Sequence, residues 1–379
     1  MSRTGLTGPV SYISGGIPMK ITQLTCYSAK GLLYIKLDTD EGISGFGECS
    51  PMQIETTLQI IRNVVKPQVI GMSPFDGELI EERVMAKHYK ISGQLLAMAY
   101  SGVEIACWDI RAKAANQPLY NLLGGKYRQE VPLYGSSMSR DLTYEQEAQK
   151  LREGIDKFQF KAVKIKVGPR MGTGLPVNLQ NDVEKVRTVR EAIGPDVKLM
   201  IDGNSSYTYI QAVQLYDRIK QYDLYHYEEP CPYYDIEAYV KLASNLPVPI
   251  HIGEQDWNLY TFRDFIARGA CHMYAADPIK CGGLSNAKRA AALCRAFGIH
   301  YIPHNTTRGI GFAAALHLAA STPECNGYYE YSIEKENIRE QFIQDSLKVS
   351  DGYIQVPEGP GLGVEIDVEK MEKLLQVTK

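Results

Sequence analysis

Seven short apolar runs end on ionisable residues. The ends are Lys164 and Lys166 in FKAVKIKVG, Asp202 in IDGN, Glu228 in YEEP, Glu254 in IGEQ, Asp277 in DPIKCGG, His304 in PHN and Glu330 in YYEYS. One acidic residue at such a place is ordinarily a helix cap or a solvated loop charge. Seven in step are hard to assign to capping. Asp202, Glu228 and Glu254 brought together without a cation would repel, and each would resist ionisation. A hard divalent ion removes that conflict. All-oxygen ligation suits Mg²⁺, with Mn²⁺ as the alternative, rather than zinc, which prefers histidine and cysteine.

Acid–base groups stand on both sides of these three carboxylates in the chain. Lys164 and Lys166 alternate with Val163, Ile165 and Val167, so they share one face of a strand. Two neighbouring ammonium groups lower each other's pKa, which can leave one lysine able to act as a base. Asp277 can hold the imidazole of His304 in one tautomer. Glu330, if kept protonated by an apolar setting, can donate a hydrogen bond to a substrate. A metal with two acid/base groups suits removal of a proton next to a carboxylate, with the enediolate stabilised as it forms. Asn204 lies two residues from Asp202 and on the same face if the strand runs on. No serine or cysteine nucleophile motif, Walker loop or nucleotide fingerprint competes with this reading.

The elements needed to gather these residues are legible too. From Val131 onward come VPLYGSS, AVKIKVG, VKLMIDGN, DLYHYEEP, VPIHIGEQ, CHMYAAD, IHYIPHN and GYYEYS. Helical stretches such as NDVEKVRTVREAIG and NAKRAAALCRAFG separate most of them. This alternation predicts a parallel (β/α)8 barrel, whose strand ends converge on one mouth. A doubly wound open sheet uses the same alternation, but no glycine-rich phosphate turn follows the first strand. Upstream, MKITQLTCYSAK, GLLYIKLDTDEG and ISGFGECS read as strands, with a turn at Asp40–Gly42. Residues 55–124 then take a helical period, which proline breaks near Gln117-Pro118. The expected divisions are a flexible leader at 1–18, an α+β domain at 19–130, the barrel at 131–335 and a C-terminal segment at 336–379.

Composition narrows the class. The 379 residues are 44% apolar and 22% charged, with net charge −3, enough to bury a large core. No basic block invites nucleic acid or an anionic membrane. No apolar run is long enough for a membrane span, and the first 18 residues lack the apolar core of a secretion signal. Eight scattered cysteines without a CxxC pair read as reduced, structural thiols in a cytoplasmic compartment.

Taken together, KIK, IDGN, YEEP, IGEQ, DPIKCGG and PHN, with MKIT…DEGISGFGE before them and DGYIQVPEGPGLGVEID after, resemble the enolase superfamily, specifically its mandelate racemase subgroup. The likeness spans almost the whole chain. It implies a (β/α)7β-type modified TIM barrel with an N-terminal α+β capping domain to which the C-terminal segment returns. It implies Mg²⁺ on Asp202, Glu228 and Glu254, and Lys166 as the base on one face, tuned by Lys164. His304, paired with Asp277, would act on the other face, and Glu330 would bridge to the substrate carboxylate. Ser136, Asn204 and Lys280 are the substrate-binding candidates; Lys280 resembles the second base of the muconate-lactonizing branch and is read here as a supporting charge. The implied activity is dehydration of an acid sugar to a 2-keto-3-deoxy acid. Racemisation or epimerisation of a carboxylate, or cycloisomerisation of a sugar-acid lactone, is the alternative. A homo-oligomer, dimer or octamer, is implied as well. One departure is visible: only about Cys26 to Gly31 separates the first two strands, where the family carries a long lid loop. CSPMQIETT, the insert PRMGTGLPVNLQND or a partner subunit would then have to cover the site.

Overall fold

The computed structural model describes residues 19–334, 338–343 and 347–379. The expected leader at 1–18 and the expected boundary at 335/336 lie outside the described residues or at their edge. Three antiparallel strands open the chain: β1 (Ile21–Ala29), β2 (Leu32–Thr39) and β3 (Ser44–Glu48). The β1–β2 ladder runs to Ala29 opposite Leu32, leaving Lys30 and Gly31 as a two-residue turn. Gly31 takes a left-handed φ of 80°, which glycine tolerates without cost. The connection is therefore tighter than CYSAKG suggested, because Cys26, Tyr27 and Ser28 are already paired with Ile35, Tyr34 and Leu33.

The long helix Gln94–Ala114 packs on this sheet and faces the barrel with its other side. Close approach needs glycine: a Cβ on Gly47 would collide with the Gly102 carbonyl. The same helix ties the front domain to the barrel through Glu104, a buried acid that accepts from Leu284 N (2.7 Å) and Ser285 N (3.1 Å). These are first-turn amides of the helix Leu284–Phe297, whose cap residue Gly283 has no side chain to satisfy them.

All eight apolar runs become strands: β4 (Glu130–Ser136), β5 (Ala162–Lys166), β6 (Lys198–Asp202), β7 (Leu224–Glu228), β8 (Ile250–Ile252), β9 (Met273–Tyr274), β10 (His300–Tyr301) and β11 (Tyr329–Ser332). They are parallel and ordered by sequence from β4 to β10, and β11 pairs back onto β4. Helices Tyr144–Phe158, Leu179–Ile193, Tyr209–Ile219, Ile236–Asn245, Leu259–Ala267, Leu284–Phe297 and Ile310–Ala320 fill the seven connections. Side chains of Thr143, Asn178, Thr208, Asp235 and Asn258 cap five of them, satisfying amides that a helix start leaves open.

After β11 no eighth barrel helix appears among the described residues. Instead β12 (Val349–Ser350) and β13 (Tyr353–Gln355) form a hairpin on β4. The chain then returns through β14 (Gln376–Thr378), which pairs with β1. The architecture is (β/α)7β with an α+β front domain. No described helix is long and apolar enough to cross a membrane.

Candidate active site

Register does most of the positioning. Lys166 lies opposite Asp202 on β5 and β6, and Asp202 opposite Glu228 on β6 and β7. Period-two alternation turns all three into the barrel. Glu254 follows the end of β8, so the carboxylates of Asp202, Glu228 and Glu254 reach within 4.8 Å of one another, all buried. Asp202 is fixed by Asn204, whose backbone and side-chain amides donate to it at 2.8 and 3.1 Å. Asn204 adopts a left-handed φ of 43°, and Arg140 donates to its side-chain oxygen at 2.6 Å. Glu254 Oε1 accepts from Gln255 at 2.6 Å and from Lys280 at 3.2 Å. Its Oε2 is buried and, among the described residues, accepts no hydrogen bond of good geometry, with His304 Nε2 3.2 Å away. Three hard oxygen donors in a dry site, one of them unsatisfied, fit a hard divalent ion.

On the lysine flank, Lys164 is fully buried, with Nζ 2.6 Å from Glu228 Oε2, 3.0 Å from Glu330 Oε1 and 3.9 Å from Asp202 Oδ2. Lys166 pairs with Asp202. The mutual lowering expected of two adjacent lysines is not what Lys164 undergoes. Burial disfavours its charge, but Glu228, then Glu330, Tyr134 and Asp202, outweigh burial and hold its pKa well above the ordinary value. Glu330 departs from expectation in the same way. Burial would protonate it, yet Lys164 and then His304 pull its carboxyl below the ordinary range. Its oxygens accept from Ser136 Oγ at 2.7 Å and from Asn305 N at 3.3 Å, as suits an ionised carboxylate.

The histidine flank is a closed pair. His304 Nδ1 lies 2.7 Å from Asp277 Oδ2, and Asp277 Oδ1 accepts from Ile279 N at 2.9 Å. The imidazole therefore carries its proton on Nδ1 toward Asp277 and turns Nε2 inward, 3.2 Å from Glu254 Oε2 and 3.9 Å from Glu330 Oε2. Burial opposes a positive charge here, but Glu254, Asp277 and Glu330 together raise the histidine above its usual value.

The three substrate-binding candidates each touch a site carboxylate: Ser136 on Glu330, Asn204 on Asp202 and Lys280 on Glu254. Arg140, Glu229, His226 and His251 were missed. Alternation could have found His226, two residues before Glu228; Arg140 comes from a loop and left no periodic signal. Glu229, the second acid of YEEP, is buried, and burial followed by Glu254 and Asp202 pushes it well above the carboxylate range. Both segments suggested as covers reach the mouth: Ser50 N donates to Ile279 O at 3.1 Å, and Met171 N to Asn204 O at 3.2 Å.

Known proteins resemble this chain over most of its length. Residues 144–371 match the family model described as enolase C-terminal domain-like, and residues 13–124 match the mandelate racemase / muconate lactonizing enzyme N-terminal domain. Arabinonate dehydratase from Saccharolobus solfataricus is 29% identical over 87% of each chain. D-galactarolactone cycloisomerase from Agrobacterium fabrum is 30% identical over 90% of each chain. A mandelate racemase/muconate lactonizing protein from Paracoccus denitrificans PD1222, solved in complex with magnesium, superposes with a TM-score of 0.89 at 26% identity, covering 95% of this chain and 98% of that one.

Proposed function

The chain belongs to the mandelate racemase/muconate lactonizing family of the enolase superfamily, and from that premise we propose that it dehydrates an acid sugar to a 2-keto-3-deoxy acid. The observation that carries this reading is the joint placement of three metal-competent carboxylates with Lys166 on one flank and the His304–Asp277 pair on the other. Asp202, Glu228 and Glu254 would hold Mg²⁺, or Mn²⁺. That ion would supply Lewis-acid stabilisation of the substrate carboxylate.

The rest of the work falls to side chains. Lys166 takes the proton alpha to the carboxylate. Lys164, held charged by Glu228 and Glu330, sets a fixed positive charge beside the negative charge that develops on substrate. His304, charged as its raised pKa favours, carries a proton on each nitrogen and gives the Nε2 proton to the departing beta-hydroxyl, while Asp277 holds Nδ1 and keeps Nε2 aimed inward. Ser136, Asn204 and Lys280 hold the carboxylates in place from behind. The same reading places the enzyme in the cytoplasm as a homo-oligomer acting on a small soluble acid. Eight free, buried cysteines support the reducing compartment.

The test is a library of acid sugars incubated with Mg²⁺ and developed with semicarbazide. The expected result is 2-keto acid absorbance that chelation removes. The cycloisomerase relative, at 30% identity, favours a second reading in which a sugar-acid lactone is opened. Lactone consumption without a keto product from the free acids would select that reading. Solvent deuterium entering the alpha position with no keto product would mark racemisation or epimerisation. Inertness toward the whole library under Mg²⁺ would overturn the assignment to acid sugars.

A further inference from the structure

Beneath Glu228 the barrel interior holds two histidines that the proposed reaction leaves unused. His226 precedes Glu228 by two residues on β7 and so shares its inward face. His251 lies opposite Glu228 in the β7–β8 register. Each is 1% exposed. His226 Nε2 is 3.5 Å and His251 Nδ1 is 3.4 Å from the same oxygen, Glu228 Oε2. Among the described residues neither nitrogen of His226, nor Nδ1 of His251, makes a hydrogen bond of good geometry, although both rings are close enough to help hold the Glu228 carboxyl below its ordinary range.

The tautomer of His251 sharpens the point. Its Nε2 lies 3.2 Å from the carbonyl oxygen of Ile302, which can only accept. A neutral ring therefore carries its proton on Nε2 and turns the Nδ1 lone pair toward the Glu228 oxygen. Two acceptors facing each other away from water repel unless something positive or proton-donating lies between them. The separations are also informative. Good N–H···O hydrogen bonds span about 2.7–3.2 Å. Ligands of a tetrahedral ion with bonds of about 2.0–2.1 Å stand about 3.3–3.4 Å apart. One donor atom each from His226, Glu228 and His251 lies within 4.8 Å of the others.

We propose that His226, Glu228 and His251 form a second metal site, for a divalent transition ion of the zinc class, sharing Glu228 with the magnesium set. Two imidazoles and one carboxylate select zinc, cobalt or iron over magnesium, so the two sites differ in preference. The Ile302 carbonyl is the outer partner that a ligating histidine needs to fix its tautomer. Lys164 donates to the same Glu228 oxygen at 2.6 Å, and a carboxylate oxygen has a second lone pair for the ion. Such an ion would pin β7 to β8 and fix the orientation of Glu228. The argument rests on the two histidines and is independent of which acid the enzyme uses.

The test strips the full-length protein with a strong chelator, reloads it with Co²⁺ in the presence of excess Mg²⁺, and dialyses it against Mg²⁺. Metal content is read by mass spectrometry and coordination by visible absorption and X-ray absorption. The expected result is one retained Co²⁺ per chain with imidazole scattering and tetrahedral absorption bands. His226→Gln and His251→Gln should each lose that ion while circular dichroism stays native. Complete displacement of Co²⁺ by Mg²⁺, or an all-oxygen shell in the wild type, overturns the proposal and leaves a bridging water between the histidines. The wild-type spectrum decides the matter even if a variant fails to fold.

Discussion

The two flanks of the site are built on different plans. On the lysine side, among the described residues, every ion pair of Lys164 and Lys166 is to Asp202, Glu228 or Glu330, so the proposed base Lys166 shares its partner Asp202 with the set that would hold the metal. On the other side His304 and Asp277 make their own pair at 2.7 Å, anchored by the backbone at Ile279. The lysine flank should therefore change its charge state when an ion binds. The histidine flank takes its orientation from Asp277 in advance, and touches the metal set only through Glu254 Oε2, 3.2 Å from Nε2. An acid that must deliver a proton needs fixed aim, whereas a base benefits from partners that can be drawn away.

The largest effect that bears on this contrast should come from Glu228→Gln. It removes a ligand and the main partner of Lys164 together, and turnover should fall at least on the order of 10³-fold, matching the several kcal/mol a metal supplies. The low-field imidazole N–H resonance of His304 should persist in that variant; its loss would mean the flanks are not separate. Asp277→Asn acts on the other side alone. Its turnover should fall on the order of 10²- to 10⁴-fold while alpha-hydrogen exchange through Lys166 survives. Loss of both would couple the flanks.

Stability of the metal-free protein against pH reads the contact between His304 and Glu254 from its two sides, with opposite signs. His304 has a folded pKa above its unfolded value, so its contribution is complete below the unfolded pKa of about 6.5 and is lost as pH rises through the folded value. Glu254 is the reverse case. His304 and Lys280 outweigh burial and bring it down to about 2, so its contribution is complete above the unfolded pKa and fades as pH falls toward 2. Thermal melts should show the difference between wild type and His304→Asn shrinking on the alkaline side. A difference independent of pH would contradict the raised histidine. The smallest effect is expected for Asn204→Ala, which removes one of the donors to Asp202 Oδ2 and leaves Lys166 on it: about 10-fold weaker Mg²⁺ dependence with turnover recovered at saturating metal.

Much of this was legible in the sequence because strand alternation and the strand–helix repeat are local patterns. They give the eight strands, the inward faces of Lys164, Lys166, Asp202 and Glu228, and the gathering of residues as distant as Lys164 and Glu330. Pairings across strands were not legible. Lys164 looked like a lysine depressed by its neighbour, but Glu228 and Glu330 come from other strands and reverse the sign. Glu330 looked like an acid that an apolar mouth could protonate, yet the same lysine keeps it ionised. The Lys30–Gly31 turn is shorter than composition suggested because Cys26, Tyr27 and Ser28 extend the ladder, and register depends on the partner strand.

The most direct test of the central claim is alpha-hydrogen exchange followed by proton NMR in deuterium oxide, using whichever acid sugar is turned over, with Mg²⁺ present. His304→Asn should wash the alpha hydrogen out of substrate without forming keto acid, and Lys166→Ala should do neither. Keto acid formed by Lys166→Ala at the wild-type rate would contradict the account.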